Sequence, residues 1–260
     1  MESSQGKQLM SSLVLREDKN GVATLTLNRP EKLNALSKDV FEELEEHIHA
    51  IARETKTIGV VVLRGASGNF SAGYDMNEVL DYVKADAKPH YHSEVIDKLG
   101  NLPQPVISAV EGHCSTGALE LALAADLIVA NESARFCDVY AKWGLTPVWG
   151  LTLRLPHRIG TAKAAEMMLT SRTYTGREAQ AMHLANFCFP DDQFEAELGT
   201  LCADILANSW YANLVVKRAL METDGLTLRD AYALDLFKNE GLAPDAAKRV
   251  QKFCKKQHKS

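Results

Sequence analysis

The sequence predicts an α/β protein built on a sheet covered on both faces. Three features carry this expectation. Ile58–Leu63 and Val106–Val110 are mainly apolar runs rich in β-branched residues, the pattern of strands buried on both sides. Segments with helical apolar spacing alternate with such runs through the first half of the chain. After Gly160 the pattern becomes almost wholly helical. With 260 residues the chain has room for one large domain or two small ones.

Leu13–Arg16 and Val22–Leu27 read as short strands, and Asn20-Gly21 between them is a hairpin turn signal. Pro30 ends the second strand. Ser37 then caps a helix reaching about Thr55, with Val40, Leu44, Ile48 and Ile51 on one face. Ile58–Leu63 is the next strand, and Gly65 to Gly73 a loop rich in Gly and Ser. Polar helical material extends to about Leu99, with Tyr91, Val95 and Leu99 at i, i+4 and i+8, until Pro103 and Pro105 break it. Val106–Val110 is a buried strand, Gly112–Gly117 a turn, Gly117–Ala125 an apolar helix and Leu127–Ala130 a third inner strand. Thr175-Gly-Arg-Glu178 has the form of a capping box. Phe187–Phe189 is a brief extended piece, and helices fill the chain from about Asp192. No low-complexity linker separates them, so they are expected to form a layer and not a separate module.

Composition removes several function classes. Apolar residues are 46% and charged residues 24%, values of a folded globular protein. The net charge of −5 and the acidic helix Ser37–Thr55 speak against nucleic acid as a partner. Cys114, Cys137, Cys188, Cys202 and Cys254 include no C-x-x-C pair, so reduced thiols in a cytoplasmic protein are expected. Residues 1–12 read as a disordered polar tail without a secretory signal, and no apolar run is long enough to span a membrane. G-x-G-x-x-G, the P-loop, the G-x-S-x-G elbow and H-E-x-x-H are all absent, and His47, His49, His90 and His92 lie on polar helices. Neither a metal site nor a nucleotide cofactor is expected.

Two glycine turns stand out, because each follows a buried strand. Phe70-Ser-Ala-Gly-Tyr-Asp75 follows Ile58–Leu63, and Gly112 to Glu120 follows Val106–Val110. Ligands of open α/β sheets collect at the carboxyl ends of strands. Two such turns side by side would offer two backbone N–H groups to one acceptor, a device suited to developing negative charge. The alternative is that both glycines simply terminate strands.

Five blocks in order resemble the crotonase superfamily, the enoyl-CoA hydratase/isomerase family. They are Leu25-Thr-Leu-Asn-Arg-Pro-Glu-Lys-Leu-Asn-Ala-Leu36, Phe70 to Asp75, Ser108 to Asp126, Gly144-Leu-Thr-Pro147 with Arg154-Leu-Pro156, and Ala185 to Pro190. The resemblance implies a crotonase-like spiral of ββα repeats over residues 13–195. It also implies a C-terminal helical region, residues 196–260, that builds a homotrimer or a dimer of trimers. The substrate it implies is an acyl-CoA thioester, with coenzyme A carried by the substrate and no other cofactor. The implied oxyanion donors are the backbone N–H groups of Tyr74 and Gly117, the latter flanked by Thr116 and Ala118 where the family often has glycine. Lys32, Ala35, Leu36, Ala72, Gly73, Asp75 and Met76 occupy the segments that hold coenzyme A. The basic run Lys248, Arg249, Lys252, Lys255 and Lys256 reads as a solvated helix end or as a neighbour of the CoA phosphates.

Hydratases of this family use two glutamates. Glu120 stands at the first position, three residues after the oxyanion glycine, while the second position holds Tyr140. A phenol with a pKa of about 10 can donate a proton at neutral pH but is a poor base. Asp138 offers a carboxylate nearby only if the segment is extended. Water addition to a 2-enoyl-CoA is the first reading, with Glu120 and Tyr140 as catalytic pair. Double-bond isomerisation by Glu120 alone, decarboxylation, thioester hydrolysis and non-catalytic CoA binding are the alternatives. Tyr74, Trp143 and Trp149 are candidates to shape the acyl pocket, with core packing expected for the two tryptophans.

Overall fold

The computed structural model describes residues 12–85, 90–238 and 240–257, so the expected tail lies outside the described residues except for Ser12. The first repeat is a hairpin followed by a helix. Strands β1 (Val14–Lys19) and β2 (Val22–Leu27) pair antiparallel from Val14↔Leu27 to Lys19↔Val22. Asn20 and Gly21 both have positive φ, as a two-residue turn matching strand twist requires. That turn carries pairing to Lys19, beyond the Arg16 end expected from composition. Ser37 caps α1 (Lys38–Ile51) by accepting from Val40 N at 3.3 Å, and Val40, Phe41, Leu44, Ile48 and Ile51 form its buried face.

Later repeats reuse this plan. They comprise β3 (Val60–Gly65) with α2 (Met76–Ala85) and α3 (His90–Gly100), then β4 (Val106–Val110), β5 (His113–Ser115) and α4 (Gly117–Ala122). Next come β6 (Leu127–Asn131), β7 (Arg135–Cys137), α5 (Leu151–Ile159) and α6 (Thr161–Thr170). Then follow β8 (Tyr174–Thr175), α7 (Gly176–Ala181) and β9 (Phe187–Phe189), and α7 opens with the expected capping box of Thr175 and Glu178. The larger sheet runs β1-β2-β3-β4-β6-β9, parallel after its first pair. A second sheet runs β5-β7-β8. Parallel bridges Ser71↔Cys114 and Leu36↔Tyr74 extend it, so each turn of the chain places one segment in each sheet. The stretch Gly112–Gly117, expected as a turn, therefore contains a strand; three residues are too few to show alternation.

Both faces of the larger sheet are covered. Val61, Leu63 and Val110 join the main core with α1, α3 and α4, while Val60, Val62, Ile107 and Val129 pack under Phe194, Leu198 and Cys202. Those last three lie on α8 (Phe194–Ala207), which is followed by α9 (Trp210–Thr223), α10 (Leu228–Lys238) and α11 (Ala246–Gln257). Buried Lys217 of α9 donates from Nζ to Asp126 Oδ2 (2.8 Å) and to Gln104 O (3.0 Å). Asp126 Oδ2 also accepts from Val106 N at 2.7 Å, so one carboxylate ties α9 to the starts of β4 and β6. Lys217→Ala leaves these acceptors underused and is expected to lower stability by about 1–3 kcal/mol. The check is a lower urea midpoint at unchanged slope.

Candidate active site

Residues 71–75 run between two neighbours, and their backbone bonds alternate sides. Ser71 faces β5, donating to His113 O (2.8 Å) and accepting from Ser115 N (3.3 Å). Ala72 N donates to Leu33 O, Gly73 O accepts from Leu36 N, and Asp75 N donates to Leu36 O, all toward the opposite neighbour. A residue flanked in this way by its parallel partner's two bonds turns its own N–H to the far side. The Tyr74 N–H thus points away from Leu36, on the side where Ser71 pairs with β5. Gly73 shows how close the turns approach. Its φ is +104°, and a Cβ there would stand 2.4 Å from Thr116 Oγ1 and 2.8 Å from Ser115 O. Gly117 opens α4, and its N–H precedes the first helical bond, from Glu120 N to Thr116 O (3.0 Å). Thr116 has φ 50° and ψ −113°, a left-handed conformation that favours glycine and stores strain beside the site.

Glu120 has no exposed surface, and three donors hold its carboxylate. Oε1 accepts from Trp149 N (2.9 Å) and Leu151 N (3.0 Å), while Oε2 accepts from the Tyr140 hydroxyl at 2.6 Å. Burial pushes its pKa up, and the bonds from Tyr140, Leu151 and Trp149 oppose the rise without cancelling it. Burial and the nearby Glu120 charge push the Tyr140 phenol far above its usual value. Asp138 is buried and accepts from Tyr140 N at 3.0 Å, which fixes the helical turn Tyr140–Trp143. That turn is not extended, so Asp138 holds the backbone and does not join Tyr140 at the carboxylate.

A cavity of about 430 Å³ lies against this pair. Of the expected site residues, Ala72, Tyr74, Met76 and Tyr140 line it; Gly117 and Glu120 do not, Gly117 following the lining residue Thr116 and Glu120 sitting behind Tyr140. Asp75 instead accepts from Arg29 Nη2 (3.0 Å) and Lys32 Nζ (3.1 Å), and its Oδ1 accepts from Asn77 N at the start of α2. Burial raises the Asp75 pKa, but the bonds from Asn77, Lys32 and Arg29 outweigh it and hold the carboxyl below the ordinary range. Leu36 is core, and the Ala35 carbonyl accepts from Arg29 Nη1 (2.7 Å). Lys32, Ala35, Leu36, Gly73 and Asp75 therefore form the frame behind the loop and not the cavity wall. Trp149 is in the core as expected. Trp143 is not: it is 62% exposed and lines the cavity, because the chain reverses at Gly144, whose φ is +66°. His113, Arg135, Cys137 and Val139 also line the cavity, and sequence reading missed all four. They sit on or beside strands of three residues, where no periodic signal exists.

Residues 17–258 match the sequence model of the family described as enoyl-CoA hydratase/isomerase. The probable peroxisomal enoyl-CoA hydratase 1 of Arabidopsis thaliana is 29% identical, covering 92% of this chain and 91% of its own. The chain belongs to the enoyl-CoA hydratase/isomerase family. An enoyl-CoA hydratase/carnithine racemase from Magnetospirillum magneticum superposes with TM-score 0.87 at 29% identity, covering 95% of this chain and 94% of that one. A putative enoyl-CoA hydratase from Thermobifida fusca in complex with acetoacetyl-CoA does so with TM-score 0.79 at 25% identity, covering 87% and 92%. The protein is thus an acyl-CoA-processing enzyme of the hydratase/isomerase type on the crotonase spiral. Among the described residues no helix is long and apolar enough to cross a membrane.

The raised pKa of Glu120 has a definite sign in stability. Folded Glu120 keeps its proton to higher pH than the unfolded chain does. Its contribution is therefore unfavourable once pH passes the ordinary carboxyl value of about 4, growing until pH exceeds the raised native value. Glu120→Gln is expected to flatten the fall in urea midpoint across that window while keeping the fold's circular dichroism.

Proposed function

We propose that this enzyme adds water across the 2,3-double bond of a 2-enoyl-CoA. The observation that carries the reading is the bond from the Tyr140 hydroxyl to Glu120 Oε2, placed beside the Tyr74 and Gly117 turns. The thioester oxygen sits on the N–H groups of Tyr74 and Gly117, which favour the enolate over the neutral carbonyl. Glu120, as carboxylate, takes a proton from water entering beside Tyr140 while the hydroxyl adds to the β-carbon. The electron pair of the double bond moves onto the thioester oxygen as the enolate. Tyr140 then protonates the α-carbon, and Glu120 returns its new proton to the phenolate through their hydrogen bond. Both groups end in their starting states.

A second reading is isomerisation, in which one relay moves a proton between two carbons. It is favoured by the cavity wall, because none of its lining residues is Asp or Glu. Coenzyme A is brought by the substrate, and the reading needs no other cofactor. Ala72 and Met76 flank the path of the CoA arm, and Asp75, paired with Arg29 and Lys32, anchors their loop from behind. The free cysteines accord with a reduced, cytoplasmic setting. Residues 196–260 supply the trimer or dimer-of-trimers contact. Leu228 and Phe237, each 88% exposed, lie on α10, and Leu220, Leu242 and Phe253 on neighbouring segments are exposed too. An apolar surface of this kind on the outer helices calls for a partner, and a second copy supplies one.

On a 2-enoyl-CoA the absorbance of the conjugated double bond is expected to fall with wild type. Tyr140→Phe and Glu120→Gln should each cost about 10²–10⁴-fold in kcat/KM. Equal rates for wild type and Glu120→Gln would remove the assigned base. Loss of activity on 2-enoyl-CoA with full activity on 3-enoyl-CoA in wild type would select the isomerase reading. Light scattering should give three or six times the 28.6 kDa chain mass, and Phe237→Asp should lower it.

A further inference from the structure

Beside Glu120 and Tyr140 stands a second buried carboxylate, Asp138, to which the hydration steps assign no role. It is 1% exposed and follows β7, whose last carbonyl, Cys137 O, accepts from Thr116 N at 2.9 Å. Thr116 directly precedes Gly117. Asp138 Oδ1 accepts from Tyr140 N at 3.0 Å, the local side-chain bond that starts a turn. The turn Tyr140–Trp143 then carries the Tyr140 hydroxyl to Glu120 Oε2 at 2.6 Å. Asp138 is therefore the joint between the strand that pairs with the second glycine turn and the turn that carries the phenol.

An Asn or Ser would start the same turn without burying a charge. Asp138 buries one, and beside another carboxylate. Burial raises its pKa, and the bond from Tyr140 N opposes the rise without cancelling it. Glu120 faces the Tyr140 hydroxyl and the Trp149 and Leu151 amides, all bonded to it, and Asp138, which acts through charge. Cations on the neighbouring elements are engaged elsewhere. Arg154 of α5 donates to Trp149 O (2.9 Å) and Asp97 (3.4 Å), Arg135 of β7 donates to the carbonyls of residues 132–134, and His113 and Lys142 are exposed. The Cys137 thiol donates to Ser115 Oγ at 3.2 Å, and His92 of α3 packs on the Trp149 ring. Two like charges in a dry site favour the protonated form of the group that ionises last. A general base works best with a pKa near the working pH, and an ordinary carboxyl lies well below it. We infer that Asp138 is a positioning residue for the Glu120–Tyr140 pair: its oxygen sets the phenol on the carboxylate, and its charge makes Glu120 a stronger base toward water. This rests on the hydration reading above and adds the residue that tunes it.

The test compares Asp138→Asn, which keeps an oxygen for Tyr140 N and removes the charge, with Asp138→Ala, which removes both. On a 2-enoyl-CoA the acid limb of kcat/KM reports the base of the free enzyme. In Asp138→Asn it is expected to move to lower pH by at least about half a unit, with KM unchanged. Asp138→Ala should show the same displacement and lose about 10- to 100-fold in kcat, because the phenol is no longer held in place. Infrared titration of the carboxyl band that Glu120→Gln removes follows Glu120 without turnover, and its midpoint should fall alongside the acid limb. A folded Asp138→Asn protein with the wild-type acid limb and midpoint overturns the inference and leaves the hydration reading standing; a residue that only holds a turn gives that result. An Asp138 carboxyl that titrates above Glu120 in wild type overturns it too, whether or not either variant folds. If wild type turns over no 2-enoyl-CoA, the hydration reading falls and the inference with it.

Discussion

A carboxylate with no contact to solvent has to find its hydrogen bonds inside the protein, and Glu120 finds three. Stripping water from a carboxylate costs several kcal/mol, and leaving any of its oxygens unpaired would add to that. The donors come from far along the chain: Tyr140 from the turn after β7, Trp149 and Leu151 from the start of α5. One side chain therefore binds both ends of residues 140–151 to α4. Their conformation carries the cavity wall with them, Trp143 outward and Trp149 inward.

The same economy of space governs the two turns. Residues 71–75 are threaded between Leu36 and β5, and backbone bonds on both sides leave little freedom in where the Tyr74 amide points. Gly73 has no room for a Cβ because Thr116 and Ser115 occupy it, and Gly117 has none because Trp149 does. Here glycine is required by the approach of a neighbouring chain as much as by torsion. Thr116, held at positive φ, shows that the second turn keeps its geometry even where the side chain resists it.

Much of this was legible in the sequence, for identifiable reasons. Strands β2 and β4 and the short β9 came out with their observed limits, because Gly, Pro and turn residues mark their ends. The caps at Ser37 and Thr175 were readable since a cap needs only one local bond. Both turns were visible as glycine turns after buried strands, and Glu120 and Tyr140 were singled out by the resemblance to the family. Trp143 was misjudged, because core or surface depends on a reversal at Gly144 that no periodicity announces. The framing role of Lys32, Arg29 and Asp75 was hidden too, since it arises from a pair of ion contacts across more than forty residues of chain. His113 and Arg135, opposite one another in β5 and β7, belong to elements too short to read.

Placing a phenol where hydratases of the family have a second carboxylate changes the electrostatics of the pair. Two buried carboxylates at this distance would repel, and one would hold a proton whose position is shared. Tyr140 and Glu120 instead attract through a hydrogen bond, and burial together with the Glu120 charge pushes the phenol further from ionisation. The proton then has an owner: the phenol keeps it in the resting state, and the carboxylate is the only group of the two able to accept another. In the proposed hydration, acid and base are separated by their chemistry and not by a difference in environment between twins. The separation also explains why burying Glu120 is tolerable, because its partner compensates the charge with a hydrogen bond and adds none of its own.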